Sequence, residues 1–139
     1  MIQDPICIFG GAFDPIHIGH LVAAEDVRQK MEFAKIHFIP CNVPATKGSA
    51  EASPGDRFEM VKLAIDGNPG FGASDIEIKK GGKSYTIDTL REVSSTFGRR
   101  RRIFLLMGVD QLNTIGTWRH PEEIIELCTI LAMRRPGFT

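Results

Sequence analysis

The stretch ICIFGG at residues 6–11 decides which fold is expected of this chain. Its four apolar residues predict a strand that is buried on both faces, and the two glycines predict a tight turn after it. The apolar residues that follow recur at helical spacing, at Leu21, Ala24, Val27 and Met31. A strand, a turn and an amphipathic helix in this order predict one unit of a parallel sheet that is covered by helices.

The same alternation continues along the sequence. Four further strands are predicted, at residues 36–39, 73–78, 103–107 and 129–133. The strand at 73–78 is expected to be half-exposed because its apolar and polar residues alternate. Helices are predicted between the strands, with Asp56 as a cap of the second helix and Ser84 or Thr86 as a cap of the third. This pattern predicts an α/β fold, a doubly wound sheet of about five parallel strands with helices on both faces.

Charge and composition restrict the kind of partner. The 139 residues include 17 Lys and Arg against 17 Asp and Glu, so the formal net charge is zero. This balance disfavours a dedicated nucleic-acid or membrane-surface binder, and the four arginines at 99–102 are predicted to form a solvated turn. Three cysteines without a CxxC pair, and no apolar run of membrane-spanning length, predict one domain over residues 1–139 in a reducing cytoplasm.

The loop at residues 10–20 is the main candidate for a binding site. Ligands of open parallel sheets bind outside the carboxyl ends of the strands, which is where this loop is expected to lie. Its glycines permit a phosphate to approach closely, and the following helix directs N–H groups and the positive end of its dipole there. His17 and His20 fall on one side of the helix start and can donate to anionic oxygens. An ordinary turn with two surface histidines is the alternative, and zinc is disfavoured because HExxH and a cysteine pair are absent.

The sequence GGAFDPIHIGH at residues 10–20 resembles the HxGH signature of the nucleotidyltransferase superfamily. Its longer form, GGxFDPxHxGH, is similar to that of bacterial nicotinate-nucleotide adenylyltransferases. Further segments resemble that family in the same order: NVPATK at 42–47 is similar to NxPPHK/R, SYTIDTL at 84–90 to SYTxDTL, GVD at 108–110 to GxD, Trp118 to an aromatic substrate residue, and RRPG at 134–137 to RRPG. Several ordered segments make this resemblance more specific than HxGH alone.

The resemblance implies a Rossmann-like sheet with strand order 3-2-1-4-5. It also implies transfer of the adenylyl group of ATP to nicotinate mononucleotide, giving deamido-NAD and pyrophosphate in NAD biosynthesis. Mg²⁺ is expected to arrive with ATP, held mainly by phosphate oxygens and water. The expected catalytic residues are His17 and His20. The expected ATP contacts are Gly10, Gly11, Ala12, Phe13, His17, His20, Gly108, Asp110 and Arg134, and the expected mononucleotide contacts are Asn42, Thr46, Lys47, Tyr85, Thr86 and Trp118.

Several of these residues also have a purely structural interpretation. Asp110 and Thr86 belong to residue types that cap helices. Lys47 is equally expected in a solvated loop, and Trp118 alone would more often belong to a core. His37, inside a predicted strand, is expected to be packed rather than catalytic.

Two departures from the family pattern bear on function. Thr46 stands where the family loop usually has His, which predicts a weaker contact to the mononucleotide or a shifted selectivity. The family's ISSTxIR segment, which would follow RRPG and bind the ATP phosphates, is absent, so a carboxyl-terminal truncation is expected.

Two alternative functions therefore stay open. One is a related adenylyltransferase that acts on nicotinamide mononucleotide or phosphopantetheine, although a phosphopantetheine enzyme would be expected to show TxGH. The other is a catalytically weak nucleotide-binding domain. The expected partners are ATP and nicotinate mononucleotide, without nucleic acid or membrane, and the sequence leaves a homo-oligomer open.

Overall fold

The apolar run near the start of the chain forms the central strand of the sheet. The computed structural model describes residues 4–44, 51–98 and 101–134. In chain order its elements are β1 (Ile6–Gly11), α1 (Ile18–Lys30), β2 (Ile36–Pro40), β3 (Val43–Pro44), α2 (Pro54–Ile65), β4 (Phe71–Ala73), α3 (Ile76–Lys80), β5 (Lys83–Ser84), α4 (Thr86–Phe97), β6 (Ile103–Gly108), α5 (Val109–Leu112), a 3₁₀ helix (Ile115–Thr117), α6 (Pro121–Leu127) and β7 (Thr129–Met133).

The main sheet has five parallel strands in the order β4-β2-β1-β6-β7. Counted over these five strands, the order is 3-2-1-4-5, so the predicted α/β class and strand order are confirmed. Phe9 in β1 is in register with Phe38 in β2 and with Leu106 in β6. Because β1 is paired along both edges and covered on both faces, only apolar side chains suit it.

Alternate residues of β1 enter two hydrophobic cores on opposite faces of the sheet. Cys7 and Phe9 belong to one core, together with residues of α1 and α2 such as Ala24, Val61 and Ile65. On the other face, Ile6 and Ile8 pack with Ile87, Leu90 and Val93 of α4 and with Ile124 of α6. Helices therefore cover both faces of the sheet, as a doubly wound fold requires.

The prediction of a strand at residues 73–78 was wrong. The strand is the shorter β4, which pairs with β2, and the chain then turns into the helix α3. Ile76 packs against the core that contains α4, and the side chain of Glu77 accepts a hydrogen bond from Thr89 of α4. These tertiary contacts decide the conformation because six alternating residues alone are too few to distinguish a strand from one turn of helix.

A second, two-stranded parallel sheet, β3 with β5, was not predicted. It consists of only two residues in each strand, which is too short for a periodic pattern in the sequence. It nevertheless joins the segment after β2 to the segment before α4. This connection holds together two parts of the chain that were both predicted to bind the same substrate.

The predicted helix caps are replaced by neighbouring residues. Ser53, rather than Asp56, is the N-cap of α2, and its hydroxyl oxygen accepts the N–H of Asp56 at 3.1 Å. The N-cap of α4 is Tyr85, with no side-chain capping bond. Ser84 is not a cap, and its hydroxyl oxygen instead accepts the main-chain N–H of Asn42, two residues after β2. Thr86 is the first residue of the helix.

The remaining structural predictions concern His37 and the arginine run. His37 is half-buried in β2 with its ring centroid 6.0 Å from that of Phe97, and burial together with the nearby positive charges lowers its pKa. Of the run, Arg99 and Arg100 lie outside the described residues, while Arg101 donates to the carbonyl of Asp4 at 2.8 Å. Within the described parts of the chain, no helix is both long and apolar enough to cross a membrane.

Candidate active site

A cavity of about 250 Å³ opens at the carboxyl ends of β1 and β6. This is the edge of the sheet where ligands of such folds bind. The cavity is lined by residues from β1, β6 and the segments around α3, α4 and the 3₁₀ helix, namely Gly10, Gly11, Ala12, Cys41, Pro44, Glu77, Ser84, Tyr85, Thr86, Leu105, Leu106, Met107, Gln111, Thr117, Trp118 and Arg119. This lining includes apolar side chains of β6 and, from the other segments, aromatic, hydroxyl and charged groups.

The two histidines of the loop at 10–20 form the start of α1. His17 is the N-cap, and its Nδ1 accepts the main-chain N–H of Gly19 at 3.1 Å. The Nδ1 of His20 accepts the main-chain N–H of His17, also at 3.1 Å. Histidine thus takes both places of a capping box, which Ser or Thr and Glu or Gln usually occupy. The two rings stack with their centroids 3.8 Å apart.

These capping bonds fix how the neutral rings carry their protons. Because each Nδ1 accepts an N–H, the proton of each neutral imidazole is on Nε2. His17 is exposed, and His20 is half-buried with its ring 5.1 Å from that of Phe13. Neither histidine lines the cavity, but both stand beside the loop that does. An Nε2–H donor pair at the positive end of a helix suits an anionic phosphate.

Glycine at position 19 permits this arrangement of the histidines. A Cβ atom there would lie 2.9 Å from the ring of His17, so a larger residue would push the ring off the helix start. Phe13, a predicted ATP contact, has a φ of +50° and a buried ring that packs edge-on against Phe9 at 5.3 Å. The structure therefore places the side chain of Phe13 in the core rather than in the cavity wall.

The other predicted ATP residues lie farther along the same edge of the sheet. Gly108 ends β6 and is the N-cap of α5, and Asp110 is exposed in the first turn of that helix. Arg134 directly follows β7, in which Met133 is in register with Gly108. The structure brings these three residues to one edge, but outside the lining of the cavity.

Three predicted mononucleotide residues, Tyr85, Thr86 and Trp118, line the cavity. The indole Nε1 of Trp118 donates to Thr114 Oγ1 at 3.1 Å, which anchors the polar edge of the ring. Trp118 also packs against the core that contains α4. The structural and functional interpretations of this tryptophan are therefore compatible, since one side chain supports the core and bounds the cavity.

Asn42 is hydrogen-bonded to the segment before α4. Its main-chain N–H donates to Ser84 Oγ at 2.7 Å, and its side-chain amide donates to the carbonyl of Gly82 at 2.9 Å. In this structure Asn42 therefore holds β5 in place beside the cavity. Thr46 and Lys47, the other two predicted mononucleotide contacts, lie outside the described residues.

Glu77 is a cavity residue that the sequence analysis missed. Its carboxylate accepts a hydrogen bond from the hydroxyl of the buried Thr89 at 2.7 Å. Burial raises its pKa to about 7, although hydrogen bonds from Thr89 and Ser84 and the charge of Lys80 act in the opposite direction. A single acidic residue in a segment interpreted as a strand gave no signal of this role.

Arg119 is a second missed residue. Its guanidinium lies over the ring of Tyr85, 4.1 Å from the ring centroid, and both side chains line the cavity. The arrangement is a cation–π contact that places a positive charge beside an aromatic wall. The only signal in the sequence was its position next to Trp118. That position became informative only because the fold places Tyr85 against Arg119.

The chain combines a doubly wound sheet with a histidine-capped helix after its first strand. Residues 8–139 match the model of the cytidylyltransferase-like family, and the chain belongs to that family. Within it, the chain is similar to proteins named as probable nicotinate-nucleotide adenylyltransferases. That of Desulfitobacterium hafniense is 43% identical over 96% of this chain and 64% of its own length, and that of Oceanobacillus iheyensis is 40% identical over 96% and 70%.

Solved structures show the same fold. A protein from Vibrio parahaemolyticus described as a nicotinate-nucleotide adenylyltransferase superposes with a TM-score of 0.81 at 22% identity, over 96% of this chain and 76% of that one. A Plasmodium falciparum nicotinic acid mononucleotide adenylyltransferase in complex with NaAD gives a TM-score of 0.78 at 17% identity, over 99% and 78%. The chain spans 61 to 64% of the length of the first three curated relatives that it matches.

Proposed function

We propose that this chain, as a single nucleotidyltransferase domain in the cytoplasm, transfers the adenylyl group of ATP to nicotinate mononucleotide. The products are deamido-NAD and pyrophosphate, in NAD biosynthesis. The observation that carries the proposal is the stacked pair of His17 and His20 at the start of α1, beside a cavity walled by aromatic and hydroxyl side chains. The names of the curated relatives support this reaction.

The reaction is an in-line displacement at the α-phosphorus of ATP. A phosphate oxygen of the mononucleotide forms the new P–O bond, and the bond to the pyrophosphate leaving group breaks. Such a step needs positioning and charge stabilisation rather than a nucleophile from the protein. The Nε2–H groups of His17 and His20 donate to phosphate oxygens, most strongly where negative charge develops in the transition state. The positive end of the α1 dipole acts on the same oxygens.

The cavity wall suits the pyridine half of the mononucleotide. Trp118 and Tyr85 offer flat apolar faces for the ring, and Thr86 at the start of α4 can donate to the ring carboxylate. Arg119 adds a positive charge at this wall, which favours the acid over the amide. In this proposal Asn42, Thr46 and Lys47 bind the remainder of the mononucleotide. ATP lies along the main chain of Gly10, Gly11, Ala12 and Phe13 and beside Gly108, Asp110 and Arg134.

Mg²⁺ belongs to the proposal as part of the nucleotide substrate. Octahedral ligation by phosphate oxygens and water satisfies this ion without a protein cage. Among residues 4–44, 51–98 and 101–134, no group of three or more His, Cys, Asp and Glu is arranged to hold a metal ion. When bound with ATP, the ion would neutralise phosphate charge.

Release of pyrophosphate tests the proposed function. The purified chain is supplied with ATP, Mg²⁺ and either nicotinate or nicotinamide mononucleotide. We expect release with the acid to exceed release with the amide. A strong preference for the amide would overturn the assigned substrate. Thermal stabilisation by both nucleotides without any turnover would instead support a nucleotide-binding domain that is not an enzyme.

A further inference from the structure

Arg57 of α2 is a fully buried arginine whose donors reach three segments of main chain. Its Nη1 donates to the carbonyl of Ala12 at 2.7 Å, its Nη2 to the carbonyl of Asn42 at 2.7 Å, and its Nε to the carbonyl of Ala52 at 3.2 Å. Its Nη1 also lies 3.9 Å from the sulfur of Cys41. One side chain thus joins the loop after β1, the end of β2 and the entry to α2.

The chemistry of this contact suggests a role beyond packing. A buried guanidinium carries a large desolvation cost, and an apolar side chain of similar size would be cheaper in the same place. The planar fork of arginine can reach acceptors in several directions at fixed separations, which neither an apolar residue nor lysine can do. What arginine can do here, and an apolar residue cannot, is therefore to hold the joined segments in a fixed relative position.

A second bridge joins two of the same segments. The carboxylate of Asp14, in the loop after β1, accepts the main-chain N–H of Glu51 at 2.7 Å and that of Ala52 at 3.1 Å. The end of β2 is also tied to β1 directly, because the N–H of Cys41 donates to the carbonyl of Gly11 at 2.9 Å. Arg57 is the member of this network that reaches all three segments.

We propose that Arg57 is a positioning residue that sets the distance between the two substrate loops. This inference rests on the proposed function, in which the loop containing Ala12 receives ATP and the segment beginning at Asn42 receives the mononucleotide. Loss of the guanidinium fork releases both loops at once. Binding of both nucleotides weakens together, although Arg57 contacts neither of them.

The test compares two arginine-to-lysine variants. Arg57→Lys keeps the charge and loses the fork, and Arg28→Lys makes the same change at a half-buried arginine that binds Glu25 and the carbonyl of Phe33, away from the site. Titration calorimetry gives the Kd of each variant for α,β-methylene ATP and, separately, for nicotinate mononucleotide. We expect Arg57→Lys to raise both Kd values about tenfold, less than the roughly 100-fold by which a misplacement of about 1 Å can lower a rate. Arg28→Lys leaves both within twofold.

Amide hydrogen exchange in the free protein provides a readout that needs no ligand. We expect Arg57→Lys to accelerate exchange at the N–H groups of Cys41, Glu51 and Ala52, and Arg28→Lys to leave them unchanged. The inference is overturned if these amides keep wild-type exchange, or if only one nucleotide is weakened. If the wild type binds neither nucleotide, the proposed function fails, and exchange alone decides whether Arg57 holds the loops.

If Arg57→Lys does not fold, a second variant still tests the inference. Asp14→Asn weakens the neighbouring bridge while Arg57 stays in place. Because the fork still sets the loop distance, we expect the Cys41 amide to stay protected while those of Glu51 and Ala52 exchange faster. Rapid exchange at all three in Asp14→Asn would show that Arg57 does not hold the loops by itself and would overturn the inference.

Discussion

Two walls of the candidate site are built in different ways. The wall formed by residues 10–20 is local, because His17 and His20 are fixed by hydrogen bonds that span two and three residues. The opposite wall is assembled from distant segments, through the bond from Thr89 to Glu77 and the contact of Arg119 with Tyr85. The first wall needs only that α1 forms. The second wall needs every element that contributes a residue to it to be in its native position.

The two walls also differ in what sets their electrostatics. At the helix start, capping bonds and the helix dipole prepare donors for an anion. At the opposite wall, burial controls the charge of Glu77, and solvent-exposed Arg119 contributes a positive charge. We therefore expect substitutions in the first wall to reduce the rate, and substitutions in the second to change affinity, selectivity and pH dependence.

The largest effect is expected at His17. Asn is a good N-cap but has no Nε2–H donor, so His17→Asn keeps the helix start and removes the proposed phosphate contact. We expect kcat for pyrophosphate release to fall about 10²- to 10³-fold, as for the loss of other transition-state donors, with little change in the melting temperature. His17→Ala, which loses the cap as well, should lose about 1 kcal/mol of stability in addition. A near-normal rate for His17→Asn would contradict the division between the two walls.

The next largest effect is expected in the pH dependence of stability through Glu77. Burial holds its pKa near 7 in the folded state, against 4.5 as the ordinary value. Folding therefore favours the protonated acid, and the wild type loses stability as the pH rises from about 4.5 to about 7. Glu77→Gln has no carboxyl group to titrate at this position and should lack this loss. The free energy of unfolding of Glu77→Gln minus that of the wild type should therefore increase by on the order of 2 kcal/mol between pH 5 and pH 8.

Denaturant unfolding at the two pH values measures this difference. Glu59, which pairs with Lys62 on the exposed side of α2, offers a matched control. Glu59→Gln should change stability by less than about 1 kcal/mol at either pH, because exposed ion pairs contribute little. Identical pH profiles for the wild type and Glu77→Gln would show that the second wall does not tune this carboxyl group.

Trp118 tests whether the assembled wall binds the mononucleotide. Trp118→Ala removes the flat face and should raise the KM for nicotinate mononucleotide about tenfold, the usual scale for loss of stacking on a base. The KM for ATP should stay within twofold. Trp118→Phe keeps an aromatic face and should recover most of the loss. An equal rise in both KM values would indicate damage to the fold rather than to one substrate contact.

Arg119 should give the smallest effect. The residue is exposed, so its contact with Tyr85 contributes only about 0.5–1 kcal/mol. Arg119→Ala should lower the ratio of kcat/KM for the acid over the amide mononucleotide by about threefold, because an exposed pair of opposite charges contributes only about 0.2–1 kcal/mol. Arg119→Lys retains the charge and should keep more of the preference. If the ratio is unchanged in the alanine variant, the second wall does not read the substrate carboxylate through this side chain.

Most of the fold was predictable from the sequence because apolar runs report burial directly. The strands at 36–39, 103–107 and 129–133 were placed within a residue of their observed bounds. The strand at 73–78 was misplaced. The segment is too short for its pattern to determine its conformation, and contacts with α4 decide that α3 is helical. The pairing of β3 with β5 left no signal because each strand has only two residues.

The candidate site was predictable where its residues are neighbours in sequence. The glycines, His17 and His20 lie within one loop, so their spacing carried the prediction. Trp118 and Tyr85 were named through the family resemblance. Whether the predicted contacts bind substrate stays a prediction. The missed residues, Glu77, Arg119 and Arg57, have ordinary identities and acquire a role only through partners from other elements.

The sequence by itself determined the alternation of elements, the apolar central strand and the position of two histidines at the start of α1. These features depend on periodicity and on hydrogen bonds between near neighbours, which the order of residues specifies. Only the tertiary structure decided that Glu77 is half-buried in the cavity wall, that Arg119 lies over Tyr85 and that Arg57 joins three segments. Burial and contact between distant segments exist only after the chain has folded, and these determine both the pKa of Glu77 and the separation of the two loops.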